Sequence, residues 1–190
     1  MAIHRQYIHK VTFRGAKTGN NPTDRSKLGT KRHILTEKTG IPLSVVISPA
    51  STHDIKQVTE VVDKTIIKRP QSSSRSKNKR RQQQQHLCLD KGYKSSEEEQ
   101  ELIKRDYVLH IPIKKKKKKK EGEDGEEKMD EKDVPNRKKY SPKRWVVERT
   151  NSWHNRFRKL FTRYEKKTEN YLGLVQFSCC MIIYRKIILG

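Results

Sequence analysis

No acidic residue precedes Asp24, cysteine occurs only three times, and apolar residues make up only 31% of the 190 positions. Apolar runs of about eighteen residues, the length needed to span a bilayer, are missing altogether. The longest apolar stretch, Tyr171 to Leu189, is interrupted by Gln176, Arg185 and Lys186 and reads as a buried helix. His4, Arg5, His9, Lys10, Arg14 and Lys17 interrupt the first residues, which therefore do not read as a secretory signal. Cys88, Cys179 and Cys180 lie in apolar segments without CxxC spacing, so core thiols are expected rather than disulfides or zinc ligands. These absences set the expectation of an intracellular protein with no membrane partner. The apolar deficit is also local: residues 68–85 and 114–142 contain only Met129, Val134 and Tyr140 as apolar residues. A single domain over residues 1–190 is expected, with one core and two disordered low-complexity insertions at 68–85 and 114–142.

What is abundant is positive charge. Lys and Arg number 45 against 22 Asp and Glu, a net charge of +23. Such an excess attracts polyanions by counterion release, which makes nucleic acid the first partner to consider. Seven consecutive lysines, Lys114 to Lys120, and the cluster from Arg75 to Arg81 would add sequence-independent affinity. Charge alone fits a basic RNA-binding protein equally well.

Residues 31–37 and 41–48 are β-prone runs joined by Lys38-Thr39-Gly40, the spacing of a hairpin. From Asp54 to Ile67 the apolar positions recur at helical spacing, with the Asp54 carboxylate as a candidate cap. His86 to Asp90 reads as a short central strand that turns at Lys91-Gly92, leaving Asp90 at its tip. A helix over about 95–105 and a strand over 107–111 follow. The last third is expected to be two helices. In the first, opening at Ser141-Pro142, one stripe carries Val146, Trp153, Phe157, Leu160, Phe161 and Tyr164, and the opposite face carries Arg144, Glu148, Asn151, Ser152 and Asn155. The second, from Asn170 to about Lys186, is apolar almost all round and is expected to pack beneath the sheet or against the first. The order is that of an α/β fold with one mostly covered sheet.

Two carboxylates stand out. Asp90 at a strand tip and Glu148 on the polar face of a helix are candidates to converge on hard cations such as Mg²⁺ or Mn²⁺, which bind oxygen ligands. A pair of such ions can activate a water or 3′-hydroxyl and stabilise the leaving oxygen in phosphoryl transfer on nucleic acid. Spacing alone leaves a plainer alternative open, in which Asp90 caps the next turn and Glu148 pairs with Arg144 at i, i+4. His53-Asp54 reads either as a catalytic pair or as a helix cap and loop anchor. Arg144, Arg149, Arg156, Arg158, Lys159 and Arg163 lie on the basic, aromatic helix and are candidates to track DNA phosphates, the alternative being a solvated face.

Four blocks, Asn21 to His33, His53-Asp54, Leu87 to Tyr93 and Arg144 to Trp153, resemble, in order, successive motifs of prokaryotic insertion-sequence transposases of the DDE type. Arg163 to Lys167 and Glu169-Asn170-Tyr171 extend the resemblance over nearly the whole chain outside the two insertions. It implies a ribonuclease H-like fold, a mixed sheet flanked by helices. It further implies that Asp90 is the second and Glu148 the third catalytic, metal-binding acid, with Mg²⁺ or Mn²⁺ as cofactor. The implied activity is DNA transposition: strand cleavage at the element end and joining of the freed 3′-hydroxyl to target DNA. DNA is the implied partner, together with a homodimer or pairing with an intact transposase, and the location is cytoplasmic and nucleoid-associated. In such proteins the first acid lies on the first strand, near residues 3–7 here or ahead of Met1. The chain has Ile3-His4-Arg5-Gln6-Tyr7 at that place. A copy truncated at its N-terminus, without the usual N-terminal DNA-binding region, is therefore expected. The alternative function is a catalytically dead, DNA-binding remnant that modulates an intact transposase.

Overall fold

A computed structural model describes residues 2–67, 85–90, 95–111 and 144–189, with no side-chain detail for residues 2–7 and 144. The expected insertions at 68–85 and 114–142 lie outside these residues apart from Gln85, as do Lys91-Gly92 and Ser141-Pro142.

Among the described residues, seven strands form one mixed sheet: β1 (Ala2–Val11), β2 (Gly19–Asn20), β3 (Leu28–Glu37), β4 (Pro42–Pro49), β5 (Gln85–Cys88), β6 (Tyr107–His110) and β7 (Thr162–Arg163). The five longer strands lie in the order β4-β3-β1-β5-β6. The first three run antiparallel, and β5 and β6 continue the sheet parallel to β1. This is a ribonuclease H-like fold, with a short β2 beside β3 and β7 beside the end of β1. The helices are α1 (Val58–Asp63, preceded by a 3-10 turn at Asp54–Gln57), α2 (Ser96–Lys104), α3 (Arg144–Asn155), α4 (Arg158–Phe161) and α5 (Thr168–Ile187). No helix among the described residues is long and apolar enough to cross a membrane.

Strand alternation sorts the core into two layers, since successive side chains leave a strand on opposite faces. Leu35, Val46 and Leu87 pack with Val58, Val61 and Leu102, so α1 and α2 cover one face. Their strand neighbours Ile47 and Cys88 belong to the other face: Ile47 packs with Leu160, Tyr171 and Val175, and Cys88 with Val146 and Val147. Thus α3, α4 and α5 cover the second face. The sheet is sandwiched because both faces of its central strands carry apolar or hydrogen-bonded side chains.

The structure departs from the sequence reading in several places. The central strand β1 is expected only from the family resemblance and not from any local pattern, because its ten residues, AIHRQYIHKV, mix apolar and basic residues. The expected helix over 54–67 shortens to a 3-10 turn and six α-helical residues, and Ile66 is left exposed. The first C-terminal helix is broken at Arg156-Phe157, and Phe161 and Tyr164 are exposed rather than part of a core stripe. The buried face of α3 is Val146, Val147, Thr150, Asn151 and His154. Asn151 turns inward because the fully buried Arg32 requires acceptors: its Nη2 donates to Asn151 Oδ1 (3.3 Å) and Asn155 Oδ1 (3.2 Å). All three cysteines are free thiols, but only Cys88 is a buried core residue. Cys179 is half-buried, with burial pushing its thiol up to about 12, and Cys180 is exposed.

Candidate active site

Asp90 follows β5 by two residues, and strand alternation extended from Cys88 puts it on the face covered by α3. It is half-buried. Glu148 is exposed and lies directly after Val147 on α3. The contact of Cys88 with Val146 and Val147 brings the end of β5 against the first turns of α3, so the two acids flank one packing contact. The ladder between the parallel strands β1 and β5 pairs Ala2 with Leu87 and Ile3 with Cys88. Continued by two residues, this register would set Arg5 level with Asp90. No Asp or Glu occurs anywhere in β1. Among the described residues, no three His, Cys, Asp or Glu side chains group as a metal site.

The orientation of α3, and with it Glu148, is set by the β3–β4 turn. Gly40 adopts φ +92°, where a side chain would be strained, and a Cβ there would lie 3.0 Å from Thr150 Oγ1. Thr150 donates to Gly40 O (2.7 Å), and Arg149 Nη2 donates to Thr39 O (2.6 Å). The Arg149 guanidinium stacks on Trp145 and Trp153, 4.8 and 5.1 Å from their ring centroids. The residues on either side of the tip of this hairpin therefore grip the helix one and two positions after Glu148.

The basic residues sort by burial. Arg163 is fully buried: its Nη1 donates to Thr30 Oγ1 (2.9 Å), Nη2 to Ala16 O (2.8 Å) and Lys166 O (3.2 Å), and Nε to Glu165 O (2.9 Å). It ties strands together and does not present its guanidinium to phosphate, which corrects its assignment as a DNA-binding residue. Arg149 is half-buried and engaged as above. Arg156, Arg158 and Lys159 are exposed around the break between α3 and α4. A role for the Arg144 side chain lies outside the described residues. At the far end of β1, Lys10 and Lys27 line an open cavity of about 380 Å³ with Thr12 and Thr162, adding basic surface near α4.

His53 precedes the 3-10 turn without a side-chain cap, and the Asp54 carboxylate pairs with the buried Lys31 at 2.8 Å while Lys31 also donates to Thr52 O (2.7 Å). The His53-Asp54 block therefore anchors its loop to β3.

One arrangement was not anticipated. His86 Nδ1 and His110 Nε2 share a hydrogen bond at 2.7 Å with their rings stacked, one step from Asp90, since Leu89 N donates to His110 O (3.1 Å). Burial first, and the neighbouring His86 second, hold His110 below the usual imidazole range. Strand pairing creates this contact between residues far apart in sequence, so no local signal announces it.

The pattern of a family described as "Transposase DDE domain" matches residues 6–183. A Burkholderia cepacia protein named "Putative transposase for insertion sequence element IS402" is 30% identical over 173 residues, an alignment covering 88% of this chain and 69% of that protein. No solved structure matches.

Proposed function

The chain belongs to the DDE transposase family of insertion sequences, and from this premise we propose that it is a DNA-binding transposition core in which Asp90 and Glu148 hold the second and third acidic positions while Arg5 occupies the first. The register of β1 against β5, which when continued sets Arg5 level with Asp90, is the observation that supports this reading. Transposase DDE domains use divalent metal ions. Such ions bind oxygen ligands, and their ability to activate water or a 3′-hydroxyl depends on ligand number and geometry. Here two carboxylates and a basic residue stand at the three positions, and this set does not fit a pair of divalent cations. Strand cleavage by the unaltered chain is therefore absent or marginal.

DNA binding does not depend on that site. The exposed Arg156, Arg158 and Lys159, with Lys10 and Lys27, offer phosphate contacts on a chain of net charge +23. The α3 helix, held by Arg149 and Thr150, would keep Glu148 facing bound DNA.

The test is a nicking assay on a supercoiled or element-end duplex with Mg²⁺ or Mn²⁺. The unaltered chain should bind the duplex and leave it intact. Arg5→Asp should confer metal-dependent nicking, and a further Asp90→Ala or Glu148→Ala should remove it. Robust cleavage by the unaltered chain that Glu148→Ala abolishes would refute the assignment of Arg5 and direct attention to Asp24 and Asp54 as third ligands.

A further inference from the structure

The open cavity at the far end of β1 combines apolar walls with positive charge. Val11 and Leu28 are apolar, Thr12 and Thr162 carry a methyl beside each hydroxyl, and Lys10 and Lys27 complete the lining. Strand pairing fixes its place, since Lys10 lies between Gly29 of β3 and Thr162 of β7. A volume of about 380 Å³ is at the lower end of the range for small-molecule sites. One nucleoside fits such a space, whereas a base pair stacked within a duplex does not enter it.

We propose, on the basis of the DNA-binding role above, that this cavity seats one unpaired nucleotide of the DNA substrate, with its base against Val11 and Leu28 and its phosphate held by Lys10 and Lys27. A nucleotide joins an apolar-faced base to an anionic phosphate, the two chemistries that the cavity offers together. None of the six lining residues is acidic. The Asp24 carboxylate lies 3.4 Å from Lys27 Nζ, but both side chains are about half exposed, and such a surface pair contributes too little to withhold the lysine from a phosphate.

The loop that carries Lys27 is built to hold one shape. Asn21 N donates to Lys27 O (2.8 Å), Asn21 O accepts from Asp24 N (3.3 Å) and Ser26 N (3.1 Å), and Arg25 and Ser26 both adopt left-handed φ, +47° and +57°. Consecutive non-glycine residues held there store strain of the kind found at ligand sites. The cavity is also continuous with basic surface. Arg158 and Lys159, exposed on α4, precede its wall residue Thr162 by four and three positions. Phe161 (58% exposed) directly precedes Thr162, and Phe13 (52%) directly follows Thr12, with Lys166 Nζ 5.8 Å from its ring centroid. Exposed rings among cations are what successive bases of an unpaired strand stack upon. Lys10 stands five residues beyond Arg5 on β1, about 17 Å along the strand, so a strand unpaired near the acidic positions reaches the cavity within a few nucleotides.

Fluorescence anisotropy of the full chain without metal provides the test, on a blunt duplex, the same duplex with a short single-stranded overhang, and the overhang oligonucleotide alone. The overhang should tighten binding at least about 5-fold, as for one seated base. Thr12→Met fills the cavity with an uncharged side chain and, with an unchanged circular dichroism spectrum, should remove most of that gain. Lys10→Gln with Lys27→Gln should also diminish it and should lower the salt slope for the oligonucleotide by about 0.7–1.4. 2-Aminopurine placed at successive overhang positions should change its emission at one position in the unaltered chain and at none in Thr12→Met. Equal affinity for the blunt and overhanging duplexes would overturn the proposal, as would a gain that the folded Thr12→Met and the double lysine variant both keep. Failure to bind the blunt duplex would instead overturn the proposed function, and the 2-aminopurine response of the oligonucleotide would still decide what the cavity holds.

Discussion

Acidification should destabilise this protein through His154 before its exposed carboxylates titrate. His154 is buried on α3, its Nδ1 2.6 Å from Ser178 Oγ, and burial together with the Arg32 guanidinium lowers its pKa to about 3. In the unfolded chain the value returns to about 6.5. A depressed histidine pKa means the folded state prefers the neutral ring, so the stabilisation is complete above pH 6.5 and is lost progressively as the pH falls from 6.5 toward 3. At pH 5 the unfolded chain holds the proton and the folded chain does not, over about 1.5 pH units at 1.36 kcal/mol each, a loss of about 2 kcal/mol. His9 acts in the same direction, lowered by burial and then by Arg32. Urea unfolding followed by circular dichroism at pH 7.5, 6.5, 5.5 and 5.0 should show the midpoint falling by the equivalent of about 2–4 kcal/mol. His154→Gln should be less stable at pH 7.5 and flatter in its pH response. A midpoint unchanged between pH 7.5 and 5.0, or an undiminished pH response in His154→Gln, would refute the reasoning.

Arg163→Ala should destabilise the fold by about 3 kcal/mol or more, because it strands the buried acceptors of β3 and the loops around Ala16 and Lys166. Thermal unfolding reads this directly. Replacing Arg156, Arg158 and Lys159 together with Gln should leave thermal stability in place and reduce the slope of log affinity for duplex DNA against log salt by up to about 3. An unchanged slope would remove these residues from the DNA interface. Gly40→Ala forces a strained φ and crowds Thr150, and should cost about 1–3 kcal/mol in urea unfolding. Deleting Lys114 to Lys120 should likewise flatten the salt dependence of DNA binding, and a titration from low to moderate salt checks it.

The hairpin around Lys38-Thr39-Gly40, the strand ending before Asp90 and α2 were legible in the sequence because local signals carry them: a glycine turn, a short apolar run and an acid-to-base charge order. β1 carries no such local signal, and only the family resemblance points to a strand there, because a strand paired on both sides by its backbone need not show alternating apolar residues. Asn151 was assigned to the polar face of α3 because the sequence does not show that Arg32 will be buried beneath it. Helical spacing puts Trp153 on the apolar stripe, whereas in the structure its ring is half-buried and lies against the Arg149 guanidinium. The register of β1 against β5 is likewise set by long-range pairing that no local pattern encodes.

Arg163 joins segments that lie at opposite ends of the chain, bonding to Thr30 and Ala16, while β7 pairs with the end of β1. The described residues on either side of residues 112–143 are also held by the core, Ile111 against the cluster of Leu87 and Leu102, and Val146 and Val147 against Cys88. For a connection between fixed ends the entropy of closure grows only logarithmically with length, by about 0.6 kcal/mol for each doubling. On that arithmetic, added length between Ile111 and Arg144 should cost little, and a cut there should be tolerated. Residues up to Ile111 and those from Arg144 onward should remain associated after cleavage, as two fragments of one sheet-and-helix sandwich.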